Sequence, residues 1–197
     1  MRILLEEICP QLRGRLVEIR DPARLRDAKG TLEARVDALL RLAKGRAARE
    51  NAELACVFVH EDLDVSDGDE YIEKRARVQR VLEQRFGRAH YVLSTAAIEA
   101  WLLLFPDALS GTASSWRVPR QYQNRDTGML NNPKSILKYE VGGPSRRYQE
   151  TDSPKVFAKA VELGCLDQPR GSNRSWRQFR MDASTCCQQH LGQQRKP

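Results

Sequence analysis

The sequence predicts an α/β fold with a mostly parallel sheet flanked by helices. Three observations carry this. Residues 53–60, ELACVFVH, form a short, near-continuous apolar run. Residues 89–95, AHYVLST, form a second such run. Helical patterns lie between and after them, and strand–helix alternation is what a parallel sheet with helical crossovers requires.

The first run does not alternate apolar with polar residues, which predicts a central strand buried on both faces. Residues 69–86 predict the helix after it: Val78, Val81, Leu82 and Phe86 share a face, and Gly87 is a natural stop. AAIEAWLLLF (96–105) predicts an apolar helix ended by Pro106. Upstream, residues 3–12 predict a short helix or strand interrupted by Pro10. RLVEI (15–19) alternates like a strand, and Asp21-Pro22 marks a turn. From Thr31, Leu32, Val36, Leu39 and Leu40 fall at helical spacing with charges opposite.

After Pro106 the texture changes. Residues 107–150 are rich in Ser, Gly, Pro, Asn and Arg and predict loops and short helices. SPKVFAKAVEL (153–163) predicts an amphipathic helix, SNRSWRQFR starts a last one, and GQQRKP a frayed tail. The expected organisation is an α/β core over 1–106 and a loop-rich, helical part over 107–197 packed on it.

The chain has 197 residues, a net charge of +7 and a pI near 9.4. The charge points to an anionic partner, nucleic acid first. No apolar run approaches a membrane span, and acids inside MRILLEEICPQL argue against a secretory signal. Five cysteines without a CxxC pair suit a reducing cytoplasm, with Cys9, Cys56 and Cys165 as small core residues. Cys186, Cys187 and His190 have poor zinc spacing and no second ligand pair, so a C-terminal helix is the better expectation there.

Acids crowd where the first strand should end: Glu61, Asp62, Asp64, Asp67, Asp69 and Glu70. Ligands of open α/β sheets bind beyond the carboxyl ends of the strands. A D-x-D pair in extended chain puts both carboxylates on one side. Two hard oxygen ligands suit Mg²⁺ or Mn²⁺. The alternative for Asp62 and Asp64 is a solvated loop. Asp67, Asp69 and Glu70 fit the dipole and capping preferences of a helix start. His60 reads as a strand residue, and Glu61 has no assigned role. Glu99 sits in an otherwise apolar segment near the same sheet edge, which argues against a merely solvated carboxylate.

VFVHEDLD, AIEAWLLL, NPKSILK and SNRSWRQF occur in an order that resembles a small Toprim-like domain family. That family is related in fold to the nuclease half of overcoming-lysogenization-defect proteins. The resemblance runs over about residues 1–182. It implies a Toprim-like, Rossmann-like sheet with a Mg²⁺ (or Mn²⁺) cluster at the carboxyl strand ends. Asp62 and Asp64 match the metal ligands, Glu99 the acid of the E-x-W-L-L segment, and Lys134 a phosphate- or acid-contacting lysine. The alternative for Lys134 is a solvated loop residue. Such domains usually open with a strand ending in Glu-Gly. Here the opening looks like the helix after that strand; the expectation is either that Glu6 or Glu7 stands in for that acid, although no Gly follows either, or that the first strand and its acid are missing.

The implied function is a Mg²⁺-dependent nuclease acting on DNA or RNA, as a subunit of an anti-phage defence complex with an ABC- or AAA-type ATPase. A homo- or hetero-oligomer fits this. Arg117, Arg120, Arg125, Lys134, Arg146, Arg147 and Arg177 are the expected phosphate contacts. The alternative is a non-catalytic subunit that binds nucleic acid or protein on a degenerate Toprim scaffold, with Trp116, Tyr122, Trp176 and Phe179 stacking on bases. Helical spacing offers Trp176 and Phe179 a plainer role, packing the last helix onto the core.

Overall fold

The computed structural model of the chain describes residues 1–20, 24–28 and 30–191. Two parallel strands, β1 (Val57–Asp62) and β2 (Ala89–Ser94), run in register from Val57 opposite Ala89 to Asp62 opposite Ser94. Helix α3 (Asp69–Arg85) connects them.

Each strand sends alternate side chains to two different cores, as the pleat requires. Val57, Val59, Tyr91 and Leu93 face one core with α3 and α2 (Leu32–Arg49). Phe58 and Val92 face the other. Burial on two faces is why neither strand reads as an alternating pattern. The strands nevertheless differ. β2 is almost wholly buried, whereas β1 is mostly half-buried and starts four residues later than its apolar run. Among the described residues β1 pairs only with β2, so the expected central strand is an edge strand.

Thr31 starts α2 by accepting a hydrogen bond from the Ala34 amide, as an N-cap threonine should. Val36, Leu40 and Ala43 form its buried stripe. On the other side of the sheet, α1 (Arg2–Ile8) is followed by a 3-10 turn at Pro10–Leu12. The expected strand at 15–19 does not form. Leu16 and Ile19 turn inward at a spacing of three while Val17 is 48 % exposed, so the apolar residues do not share one pleated face. The Asp21-Pro22 turn and the 192–197 tail lie outside the described residues, as does the His190 side chain.

The 96–105 segment also departs from expectation. Only Glu99–Leu102 is helical (α4), and Pro106 opens α5 (Pro106–Thr112). Proline is well placed at the first helical position, where no amide hydrogen is needed. Residues 113–152 hold 3-10 turns, the short α6 (Pro133–Ser135) and a π-helical turn at Ile136–Val141. Helices α7 (Ser153–Glu162) and α8 (Arg174–Cys186) follow as expected, then a π-helical turn at Cys187–Leu191.

The larger core unites the two expected parts of the chain: Leu4 and Trp101 pack with Trp116, Phe157, Trp176 and Phe179. Trp101 lies 5.3 Å from both Trp176 and Phe179, ring centre to ring centre. These arrangements add about 0.5–1.5 kcal/mol per pair to the burial itself. Trp116, Trp176 and Phe179 are therefore core residues and cannot stack on bases without unpacking. Cys9 is buried, as expected, but is disulfide-bonded to Cys187, because the end of α1 meets the end of α8. Among the described residues no helix is long and apolar enough to cross a membrane.

Candidate functional site

The register brings the carboxyl ends of both strands side by side at Asp62 and Ser94. Beyond them the chains stay paired: the Leu63 amide donates to the Ser94 carbonyl at 2.8 Å and the Asp64 amide to the Ala96 carbonyl at 3.0 Å. Asp64 and Ala96 both adopt left-handed backbone angles, φ 64° and 58°. Each such non-glycine residue costs about 1–2 kcal/mol. Strain of this kind gathers at functional edges.

Asp62 points into this edge. One of its oxygens accepts from the Ile98 amide at 2.9 Å. Burial raises its pKa, and the Ile98 hydrogen bond and the Lys134 charge pull the other way. The His60 Nε2 is 3.6 Å from the same carboxylate and shares a 2.9 Å hydrogen bond with the Ser94 hydroxyl. Burial pushes His60 down to about 4, so at neutral pH it is an uncharged strand residue and not an ionic partner of Asp62.

Glu99 opens α4 one residue after Ile98 and is 2 % exposed. The Tyr148 hydroxyl approaches one of its oxygens at 3.4 Å, and also bonds the Ser153 hydroxyl at 2.5 Å. The other oxygen, Oε2, is buried with no hydrogen-bond partner. Burial raises the Glu99 pKa, Lys134 opposes that, and the nearby Asp62 and Glu150 add to it. Tyr148 reaches Glu99 because the backbone folds back at Gly142, where a Cβ would lie 2.9 Å from the Tyr148 amide and 3.0 Å from the Lys138 carbonyl.

Lys134 completes the group. Asn132 caps α6 by accepting from the Ser135 amide, and Pro133 takes the first helical position, so the N-P-K-S string is a helix start that presents the lysine. Its ammonium pairs with Glu150 at 3.1 Å. Partial burial disfavours the charge, but Glu150, Glu99 and Asp62 outweigh it and raise the pKa. Lys134 thus stays protonated at neutral pH.

Other expected residues fall elsewhere. The left-handed turn at Asp64 breaks the extended geometry that would have aligned it with Asp62. Its carboxylate instead meets Arg26 at 2.6 Å and is 63 % exposed. Glu7 pairs with Arg13 and lines a surface groove with Trp176 and Arg180. Glu61 accepts from the Leu25 and Arg26 amides and from the Tyr91 hydroxyl. Asp69 and Glu70 stand in the first turn of α3, but Asp67 does not cap it: its carboxylate pairs with Arg174 at 3.3 Å. Arg117, Arg120, Arg125, Arg146, Arg147 and Arg177 are all exposed. Arg146 also binds Asp152 at 3.1 Å and covers the Trp116 ring. Sequence reasoning missed Tyr148 and Glu150; RRYQETD carries no spacing signal that ties them to Glu99.

Among the described residues no group of three or more His, Cys, Asp or Glu side chains is placed to hold a metal. What meets here is Asp62, Glu99 with a bare oxygen, and a protonated lysine. Mg²⁺ often uses only one or two carboxylates and takes further oxygens from water and substrate phosphate. Asp62 and Glu99 are the two carboxylates at this edge that could contribute to such a site. Comparison of the chain with protein-family models, curated proteins and solved structures gives no match in any of the three.

Proposed function

We propose that the chain is a Mg²⁺-dependent nuclease of Toprim-like character, cutting DNA or RNA phosphodiesters. The single observation that carries this is Glu99: a buried carboxylate with a bare oxygen, beside Asp62 and Lys134 at a strained strand end. Asp62 and Glu99 would hold the ion, which when bound polarises a phosphoryl oxygen and lowers the pKa of a water. Lys134 supplies a fixed positive charge to the phosphate, held by Glu150. Tyr148 fixes the Glu99 carboxylate from behind. Exposed arginines, Arg120, Arg125 and Arg147 among them, track the phosphate backbone electrostatically. The sequence resemblance described above supports an ATPase partner and a role in phage defence within the cytoplasm.

A second reading, a non-catalytic subunit binding nucleic acid or protein, is favoured by Asp64, which Arg26 holds away from Asp62. Plasmid and RNA incubated with Mg²⁺ or Mn²⁺, alone and with any ATPase found encoded beside this chain, separate the two. The nuclease reading expects cleavage that Asp62→Ala and Glu99→Gln abolish. Cleavage that survives both substitutions, or none in any combination, overturns it.

A further inference from the structure

The second half of α2 carries positive charge with little counter-charge in the fold. From Arg41 to Arg49, RLAKGRAAR, it holds four cations and no acid. Arg41, Lys44, Arg46 and Arg49 are all exposed. Arg46 pairs with Glu50 at 3.0 Å. The other three have no ion pair or side-chain hydrogen bond among the described residues. The acid that precedes them, Asp37, is taken up by Arg85 at 3.5 Å.

Cations in the last turn of a helix answer its negative end, and Arg46 and Arg49 stand there. Arg41 and Lys44 lie earlier, so the dipole does not account for them. Val36, Leu40 and Ala43 bury the inner stripe of α2. Opposite that stripe, helical spacing sets the exposed Ala38, Gly45 and Ala48 beside Arg41 and Arg49. Nothing lies within 4 Å of the place a Gly45 Cβ would take. The outer face is thus a slim ridge of small residues with long cations along it. Arg41 and Arg49 are about 12 Å apart along its axis.

This ridge is separate from the Asp62 edge. α2 begins after Arg26, which meets Asp64 at that edge. By Asp37 it has reached Arg85, in the last turn of α3. The basic half lies further on, toward the amino ends of the strands.

We propose that this ridge of α2 docks the phosphate backbone of double-stranded DNA. Its unpaired cations complement a phosphate chain. RLAKGRAAR has no aromatic residue to stack on open bases, the usual means of holding a single strand. A slim helix face enters the major groove of DNA, about 12 Å wide, whereas that of duplex RNA is deep and narrow. The contact reads phosphates, so it is independent of base sequence. It needs no metal and does not depend on the nuclease reading.

The test is fluorescence anisotropy of a labelled DNA duplex of mixed sequence, titrated with the full chain in EDTA over a salt series. EDTA removes any metal, so docking is read apart from cleavage, and a chain that never cleaves can still dock. Wild type should bind, with affinity falling steeply as salt rises. Arg41→Ala combined with Lys44→Ala should flatten the log–log salt slope by about two phosphate contacts and weaken binding about tenfold at low salt. Arg41→Glu combined with Lys44→Glu should weaken it further. Both sites are exposed and alanine is the best helix former, so circular dichroism should show the alanine variant folded. No binding of the duplex by wild type overturns the proposal. So does an unchanged salt slope in the folded alanine variant. Binding of single-stranded DNA, duplex RNA or polyglutamate as tight as that of the DNA duplex also overturns it.

Discussion

The Tyr148 hydroxyl approaches Oε1 of Glu99 at 3.4 Å while Oε2 of the same carboxylate is buried with no partner. A buried carboxylate with one oxygen unpartnered is costly at neutral pH. Its pKa is raised in the folded chain above the ordinary 4.5 of a free glutamate, burial being the main cause. Below that value folded and unfolded states are both protonated and the carboxyl is at its most favourable. As pH rises through the folded pKa the unfolded state ionises more readily, so the stability contribution is lost. Glu99→Gln should therefore stabilise the chain at pH 7 by about 1 kcal/mol relative to its effect in acid. Urea unfolding at acid and neutral pH measures this; an equal effect at both contradicts it.

His60 gives the opposite slope. Burial holds its folded pKa at about 4 against 6.5 for the free side chain. The unfolded chain binds the extra proton between those values, so stability should fall as pH drops through that window. The side chain is 29 % exposed, which screens the effect. Wild type should lose about 1–2 kcal/mol relative to His60→Gln between pH 7 and pH 4.5. Parallel curves for the two proteins would count against it.

Asn173 is fully buried and caps α8, accepting from the Trp176 amide at 3.0 Å and from the Ser175 hydroxyl at 2.7 Å. Its side-chain amide also donates to Thr127. Asn173→Ala removes a cap and strands several buried polar groups. A loss of about 2–3 kcal/mol is expected in chemical unfolding. Asn173→Asp should keep the cap to Trp176 but lose the donor to Thr127, and fall between.

How much of this was legible in the sequence differs by element. Helices α2, α3, α7 and α8 were readable because their apolar residues recur at helical spacing and Thr31 and Asn173 announce their starts. β2 was readable because it is buried on both faces. The limits of β1 were not, since an apolar run marks burial and not strand pairing. Pro106 was readable as a boundary, but proline both ends and begins helices, and only the fold decides which. In the site, Glu99 was legible as an acid in apolar company. The parting of Asp62 from Asp64 was not, because it depends on a left-handed angle at a non-glycine residue. The Cys9–Cys187 bond depends on two chain ends meeting across 178 residues, which no local pattern records.

If exposed arginines hold a phosphate chain, binding must weaken with salt. Arg120 and Arg125 are exposed and lie outside the core. Arg120→Ala and Arg125→Ala should each lower nucleic-acid affinity similarly across sequences and flatten the log–log salt dependence by about one phosphate contact. Fluorescence anisotropy over a salt series is the check. Binding that ignores salt would remove the phosphate-tracking role.

We propose that Asp62 and Glu99, with Lys134 beside them, form a divalent-metal site. Mn²⁺ binding followed by electron paramagnetic resonance tests it most directly, on the wild type, Asp62→Asn, Glu99→Gln and Asp64→Asn. The first two substitutions should each weaken binding at least about tenfold, since each removes a hard carboxylate ligand. Asp64→Asn, at a carboxylate that belongs to Arg26, should change binding far less. Equal Mn²⁺ binding by wild type and Glu99→Gln, with both proteins folded, would contradict it.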